Sequence, residues 1–457
     1  MGVGSSRFIT YGLGKGDPVA LKNIFATTFT IHVILAILIV AVAETAGLWF
    51  FHNKMVISPD RLYAAEWVFH LSILTAFFSL TQVPFNACII AHEKLTVFAY
   101  VSMAESLCNL LIVYVLLIGQ TDKLILYAVL HFILQISVLC FYRIYGTRHF
   151  PEVRIRLRID KDISREIMGF SGWSLFASSS IALNSNGILI LLNMFFPSAV
   201  VAARSISVQV NMAATQFMTN FQTAALPQIV KSYAAKDYNG SRHLLLETAK
   251  FSYFLMLLLS IPIYFSAEEL LTLWLGEVPP YTVVFLQLIS IQSLFQVFDT
   301  TFYYALYAKG QLRENALISP TTGFISFPIV YLLFKAGFPP VTLSWASIIM
   351  YAMLGVVIKP ILIIRLVNYK WHDVLSVFIP CLKVTLASLP LPLLTDYSLK
   401  NGQLPLWQRF TVIVAGCMIS VVVSCWYLGL SPEMRIKLVA VARKAGSKFI
   451  SRNHDMT

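Results

Sequence analysis

Twelve long apolar runs constrain this chain more than any other feature. A helix that crosses a bilayer needs about 20 mostly apolar residues. Such stretches recur at about 24–51, 65–90, 96–118, 124–142, 167–195, 199–225, 248–275, 282–307, 315–334, 341–366, 374–395 and 408–429. They are too long and too uniformly apolar for the alternating strands of about ten residues that build outer-membrane barrels. The expected fold class is an all-α integral membrane bundle with 12 transmembrane helices. Composition agrees: 12% of the 457 residues are charged, where about 25% is ordinary for a soluble domain, and mean hydropathy is +0.73.

The loops carry an orientation. Of the 34 Lys and Arg, 25 fall in the tail and the alternate loops that share a side with Arg7, Lys15 and Lys22, 6 fall on the opposite side, and 3 (Arg204, Lys359, Lys383) lie inside spans. The positive-inside rule then makes both chain ends cytoplasmic. The net charge of +12 and the run Arg154-Ile155-Arg156-Leu157-Arg158 raise the question of nucleic acid, but a basic juxtamembrane segment against anionic lipid accounts for them. Membrane lipids are thus expected partners, and nucleic acid is not. The 6 cysteines sit in apolar stretches at no regular spacing, so neither a disulfide framework nor a metal site is expected. No charged leader with an apolar run and a cleavage site opens the chain, so insertion is expected to use the internal spans.

The chain also repeats itself at an offset near 220. Gly14-Lys15-Gly16-Asp17 precedes a span ending Ala43-Glu44-Thr45-Ala46-Gly47-Leu48-Trp49, and Ala234-Ala235-Lys236-Asp237 precedes one ending Ala267-Glu268-Glu269-Leu270-Leu271-Thr272-Leu273-Trp274. Phe85 with Ala91-His92-Glu93-Lys94-Leu95 is answered by Phe302 with Ala308-Lys309-Gly310-Gln311-Leu312. Two tandem copies in one orientation follow. The second copy has two spans, 167–195 and 199–225, ahead of its turn where the first has about a dozen residues. The expectation is a chain truncated at its N-terminus, with two spans encoded upstream. The expected organisation is an N-terminal bundle over 1–143 lacking its first two helices, a basic cytoplasmic linker over 144–166, a six-helix bundle over 167–367, and two extra helices with a basic tail over 368–457.

Ionisable and amide groups inside spans usually face a cavity or a partner. On 199–225, Arg204, Ser207, Asn211, Thr215, Met218 and Gln222 recur at helical spacing on one face,. A guanidinium there offers forked donors suited to phosphate, and the amides suit sugar hydroxyls; snorkelling of Arg204, about 9 Å inside its span end, is the alternative. The preceding span carries Ser171, Ser174, Ser178, Asn184, Asn186 and Asn193, either as cavity lining or as interhelical hydrogen-bond glue. Asp299 lies about 12 Å from its span end, where a carboxylate can exchange a proton, hold Na+, or pair with a neighbouring amide or lysine. Glu105 carries the same alternatives. Lys359 and Lys383 lie within or nearly within a lysine's reach of the inner face, Lys359 is expected to snorkel, and Glu44, Glu268 and Glu269 are expected to sit at the interface. His32, His70 and His131 have no ligand spacing.

One block is distinctive: Ala202-Ala203-Arg204-Ser205-Ile206-Ser207-Val208-Gln209-Val210-Asn211, continuing to Asn220-Phe221-Gln222-Thr223-Ala224 and Pro227-Gln228-Ile229-Val230-Lys231-Ser232-Tyr233. It resembles the eighth helix of Wzx-type polysaccharide flippases. Arg7-Phe8-Ile9-Thr10 through Asp17 is similar to the end of their second helix. That family belongs to the multidrug/oligosaccharidyl-lipid/polysaccharide flippase superfamily. The resemblance implies fourteen helices in a full-length protein, as two six-helix bundles plus two, with this chain short at its N-terminus. It also implies transport by alternating access of an isoprenoid-diphosphate-linked oligosaccharide across a bacterial inner membrane, for O-antigen, capsule or exopolysaccharide assembly. The substrate-binding set is then Arg204, Ser207, Asn211, Thr215, Gln222, Asn184 and Asn186. Asp299 and Glu105 are the ion-coupling set, H+ or Na+ is the coupling ion, no cofactor is needed, and glycan assembly machinery is a partner. Outer loops of about four to twelve residues and the lack of a GxxxxGK[ST] loop speak against an enzyme. A cation-coupled multidrug antiporter of the same superfamily and a non-transporting membrane scaffold are the competing readings.

Overall fold

The computed structural model describes residues 8–9, 13, 17–92, 94–118, 122–153, 156–161, 163–165, 179–180, 182–310, 313–400, 404–430, 432 and 434–435. Among them every element is helical, and they divide into two compact units, Met1–Ala182 and Leu183–Thr457. Nine helical stretches among the described residues are long and apolar enough to cross a membrane. Expected span 167–195 is described only at 179–180 and 182–195.

In the first unit, α1 (Pro18–Val42) starts where Pro18 occupies the first turn and Asp17 caps it, accepting from the Val19 and Ala20 amides at 2.9 and 3.1 Å,. A π-helical turn over Ala43–Gly47 leads into α2 (Leu48–Lys54). Three further helices follow: α3 (Leu62–Ala91), α4 (Leu95–Ile118) and α5 (Lys123–His149). Phe25 and Phe29 of α1 meet Phe85 of α3 edge-on at 5.5 and 5.8 Å, and Tyr142 and Phe150 join the same core. The segment expected as a free linker behaves otherwise over its described part. Helix α5 runs on to His149, and residues 156–160 lie along α1, where Arg158 N donates to Thr30 Oγ1 at 3.0 Å and Asp160 N to Thr27 Oγ1 at 3.1 Å.

The second unit opens with a π-helical turn, Leu183–Gly187, and α6 (Ile188–Phe195). Its centre is α7 (Ser198–Ala234), α8 (Tyr238–Phe265) and α10 (Thr282–Lys309), which pack on one another. Expected span 248–275 is a bent pair rather than one rod. Pro262 in α8 is followed by Ser266, which bonds back to the Pro262 carbonyl through both N and Oγ, and α9 (Ala267–Leu275) starts afresh,. Helix α11 (Arg313–Lys335) contains two prolines, and α12 (Thr342–Ala352) continues through a π-helical turn, Met353–Ile358, into α13 (Lys359–Val367). Helix α7 matches an expected span yet is not among the nine, because Arg204, Gln209, Asn211 and its other polar residues lower its hydropathy.

The last expected pair is α14 (Trp371–Ser388) with α15 (Pro390–Lys400), then α16 (Leu406–Ser424). Both α14 and α16 pack against α8, so they extend the hydrophobic core of the second unit, in which Val374, Val377, Cys381, Ile413 and Cys417 join Phe254 and Phe298. Tyr253 of α8 meets Thr385 of α14 at 2.8 Å. Glu269 of α9, expected at the interface, is buried instead and takes Arg409 of α16 at 2.7 Å. A buried carboxylate needs such a partner.

Candidate transport site

Helix α7 has two polar faces, and they do different things. Arg204, Ser207, Asn211, Met218 and Gln222 are buried and Thr215 is half-buried, so the stripe expected to be wet is packed against neighbouring helices. Ser207 Oγ donates to the Thr282 carbonyl at 3.1 Å and to the Ala203 carbonyl at 2.8 Å. Ser293 Oγ donates to Asn211 Oδ1 at 2.8 Å, and Gln222 Nε2 to Thr301 Oγ1 at 2.7 Å. Thr215 Oγ1 turns back to the Asn211 carbonyl at 3.0 Å. The stripe is a polar seam that registers α7 on α10, as amides and hydroxyls do between helices in lipid.

Arg204 is its exception. The residue is 6% exposed, its Nη1 reaches Ser344 Oγ of α12 at 3.4 Å, and its Cζ lies 5.8 Å from the Phe285 ring centroid. A guanidinium has five donors, and among the described residues no carboxylate pairs with it. An uncompensated cation inside a span is costly.

The opposite face of α7 escaped the sequence reading. Ser205, Gln209, Met212, Ala213, Gln216, Asn220 and Thr223 are all exposed, and at 100° per residue they fall within one sector, across the helix from Arg204 and Gln222. Gln216 Nε2 donates to Asn220 Oδ1 at 2.9 Å. Ser205 and Thr223 donate to the Val201 and Thr219 carbonyls at 3.0 and 2.8 Å, which leaves Gln209, Gln216 and Asn220 as the amides this face presents. The signal was present in the same run of sequence, one face over: α7 contains no Asp or Glu, and its amides alternate between the two sectors.

Of the preceding span, Asn186 is exposed in the π-helical turn, Asn193 is buried, and Ser171, Ser174, Ser178 and the Asn184 side chain lie outside the described residues.

Asp299 of α10 has a lysine beside it. Lys359 was expected to snorkel; it is instead 2% exposed, and its Nζ lies 3.1 Å from Asp299 Oδ1 and 5.6 Å from the centre of the Tyr303 ring. Glycine makes the approach possible. A methyl group on Gly355, in the π-helical turn, would lie 2.4 Å from the Phe295 carbonyl oxygen and 3.3 Å from Asp299 N, so only a residue without Cβ lets the two backbones come this close. Phe295, Asp299 and Tyr303 recur every four residues on α10, as Gly355 and Lys359 do opposite, and the two faces mate. Tyr351 of α12 lies within Coulomb range of both Asp299 and Arg204.

Glu105 belongs to the first unit and does not join Asp299: it is half-buried and accepts from Gln135 Nε2 of α5 at 2.9 Å. Arg143, which the sequence reading left in a loop, is inside α5. Its Nη2 donates to Thr81 Oγ1 at 3.1 Å, and its Cζ lies 5.6 Å from the Phe85 ring centroid. His70 meets Glu44 at 3.0 Å, and His32 is buried with Nδ1 2.8 Å from the Thr28 carbonyl. Lys383 is exposed. Among the described residues no group of three or more His, Cys, Asp or Glu is placed to hold a metal ion.

Sequence comparison finds no matching family model and no matching curated protein. Structural comparison does find similar folds. An inward-facing multidrug resistance MATE family transporter of the MOP superfamily matches with a TM-score of 0.70 at 13% identity, over 81% of this chain and 87% of that one. A MOP superfamily transporter from Pyrococcus furiosus, described as having a binding pocket of reversed polarity, matches with a TM-score of 0.56 at 12% identity, over 81% and 84%. An outward-facing MATE family transporter matches with a TM-score of 0.53 at 14% identity, over 80% and 83%. The chain has the fold of the multi-pass transporters of the MOP superfamily.

Proposed function

We propose that this protein is a transporter that flips an isoprenoid-diphosphate-linked oligosaccharide across a bacterial inner membrane, for O-antigen, capsule or exopolysaccharide assembly, with both termini cytoplasmic. The observation that carries the reading is the exposed face of α7, where Gln209, Gln216 and Asn220 offer paired donors and acceptors at span depth and no carboxylate is present. Neutral amides match a polyhydroxylated cargo, and Arg204, on the buried side of α7 with no carboxylate beside it among the described residues, would meet the diphosphate only when that side opens during the transport cycle,. A cavity built for cationic drugs calls for the opposite charge. The Pyrococcus furiosus protein, whose pocket is described as reversed in polarity and as suggesting a different function, supports the idea that this fold accommodates cargo of either sign. Transport proceeds by alternating access, for which tandem repeats are suited machinery. Anionic lipids contact the basic loops, and glycan assembly machinery supplies and removes the cargo.

The test is mass spectrometry of lipid extracts from a deletion strain. Accumulation of a lipid-linked glycan that disappears on complementation is the expected result. A strain that accumulates none and becomes sensitive to lipophilic cations would establish the multidrug reading instead.

A further inference from the structure

The first unit repeats the arrangement around Lys359 with one member changed. In the tandem repeat its α3 stands where the second unit has α10, and its α5 where the second has α12 and α13. At the offset that relates Phe302 to Phe85, 217 residues, Asp299 corresponds to Gln82. Each unit still brings a cation from its later helix to its earlier one. In the second unit Lys359 Nζ meets Asp299; in the first, Arg143 Nη2 donates to Thr81 Oγ1 at 3.1 Å, one residue from Gln82. The carboxylate has become an amide, and Gln82 Nε2 turns to Asn86 Oδ1 at 3.4 Å.

The charge of Arg143 is therefore unspent. Thr81 gives its own hydroxyl hydrogen to the Phe78 carbonyl at 2.9 Å and offers Arg143 no negative charge. Glu105 of α4 accepts from Gln135 instead, at 2.9 Å, and among the described residues no carboxylate pairs with Arg143. A guanidinium has five donors; Nη2 is used, and Nε is shielded and finds no acceptor. Arg143 is half-buried, whereas Lys359 is 2% exposed, so its head stays reachable. It lies six residues before His149, the last residue of α5, which puts it about 9 Å from the helix end at 1.5 Å per residue. A side chain of this length spans that depth to the headgroups. The Phe85 ring, 5.6 Å from Cζ, steadies the head without consuming a donor,.

We propose that Arg143 is a binding position for the phosphate of an anionic amphiphile, either a phospholipid headgroup or the diphosphate of an isoprenoid lipid. A planar fork with spare donors at this depth is the group that phosphate matches best. The bound phosphate supplies the negative charge that Asp299 supplies in the second unit. The proposal requires only that the chain lies in a bilayer, so it stands apart from the identity of the transported cargo.

Native mass spectrometry of the purified chain in detergent counts the bound molecules. The probes are dioleoylphosphatidylglycerol, farnesyl diphosphate and, as a neutral control with the same tails as the first, dioleoylglycerol. The wild-type chain is expected to retain at least one phosphate-bearing probe per chain at least tenfold more tightly than R143Q, with dioleoylglycerol bound equally by both. R143K, which keeps the charge and loses the fork, should fall between. Binding at the basic loops is common to all variants and cancels in the comparison. Loss in R143Q confined to phosphatidylglycerol assigns the position to a headgroup, and loss confined to farnesyl diphosphate assigns it to an isoprenoid diphosphate. A monodisperse R143Q that binds both as the wild type does overturns the proposal. So does a wild-type chain that retains neither above dioleoylglycerol. If R143Q is not monodisperse, R143M takes its place under the same criteria, and the wild-type arm stands without any variant.

Discussion

Gly355→Ala tests the geometry on which the Asp299–Lys359 pair depends. The added methyl would lie 2.4 Å from the Phe295 carbonyl oxygen and 3.2 Å from Phe298 Cβ. Backbone cannot fold away as a flexible side chain can, so the π-helical turn and α10 must part by about 1 Å to restore ordinary van der Waals distance. Overpacking of this kind costs about 1–3 kcal/mol. The ion pair lengthens with it, from 3.1 Å to about 4 Å, which at an effective dielectric of about 20 removes about 1 kcal/mol of attraction. The sum, about 2–4 kcal/mol, corresponds to a fall in melting temperature of about 4–8 °C for a unit of this size. Tryptophan fluorescence of the purified chain during heating reads it. Because part of the loss passes through the ion pair, Gly355→Ala and Asp299→Asn should be less than additive when combined. A Gly355→Ala chain that melts with the wild type would refute the close approach, and full additivity would show that the ion pair does not depend on it.

Three other outcomes follow from the site. Joint replacement of Gln209, Gln216 and Asn220 by Ala should lower glycan export at least tenfold with unchanged membrane abundance, whereas Ser207→Ala should lower abundance instead, because Ser207 binds α10 rather than the cavity; immunoblots of membranes alongside export assays separate the two. Arg204→Ala should abolish export at normal abundance and Arg204→Lys retain part of it, since lysine keeps the charge and loses the fork; export by Arg204→Ala at the parental rate would leave the residue a structural anchor. Arg409→Ala strands Glu269, whose side chain is 3% exposed, and should destabilise the chain by about 3–5 kcal/mol. Adding Glu269→Gln should recover much of that loss in thermal unfolding.

Much of the architecture was legible from the chain alone, because a bilayer imposes one rule on every segment: about 20 apolar residues with all backbone groups bonded internally. Length and hydropathy therefore located the helices, and the resemblance of the block around Arg204 to Wzx-type flippases anticipated a fold shared with MOP superfamily transporters. The α7 stripe through Arg204 and Gln222 was equally readable as a face. Which way it looked was not. A helical face shows only that its residues share a direction; whether that direction is water or another helix depends on what packs there, and Thr282, Ser293 and Thr301 of α10, some 75 to 82 residues away in the chain, decide it. Lys359 follows the same logic. Near a span end it looks like a snorkelling lysine, and only the approach of α10 permitted by Gly355 turns it inward to a carboxylate 60 residues earlier in the sequence. Local pattern sets the secondary structure because it depends on neighbours within a turn, whereas the fate of a buried charge depends on contacts made across the fold.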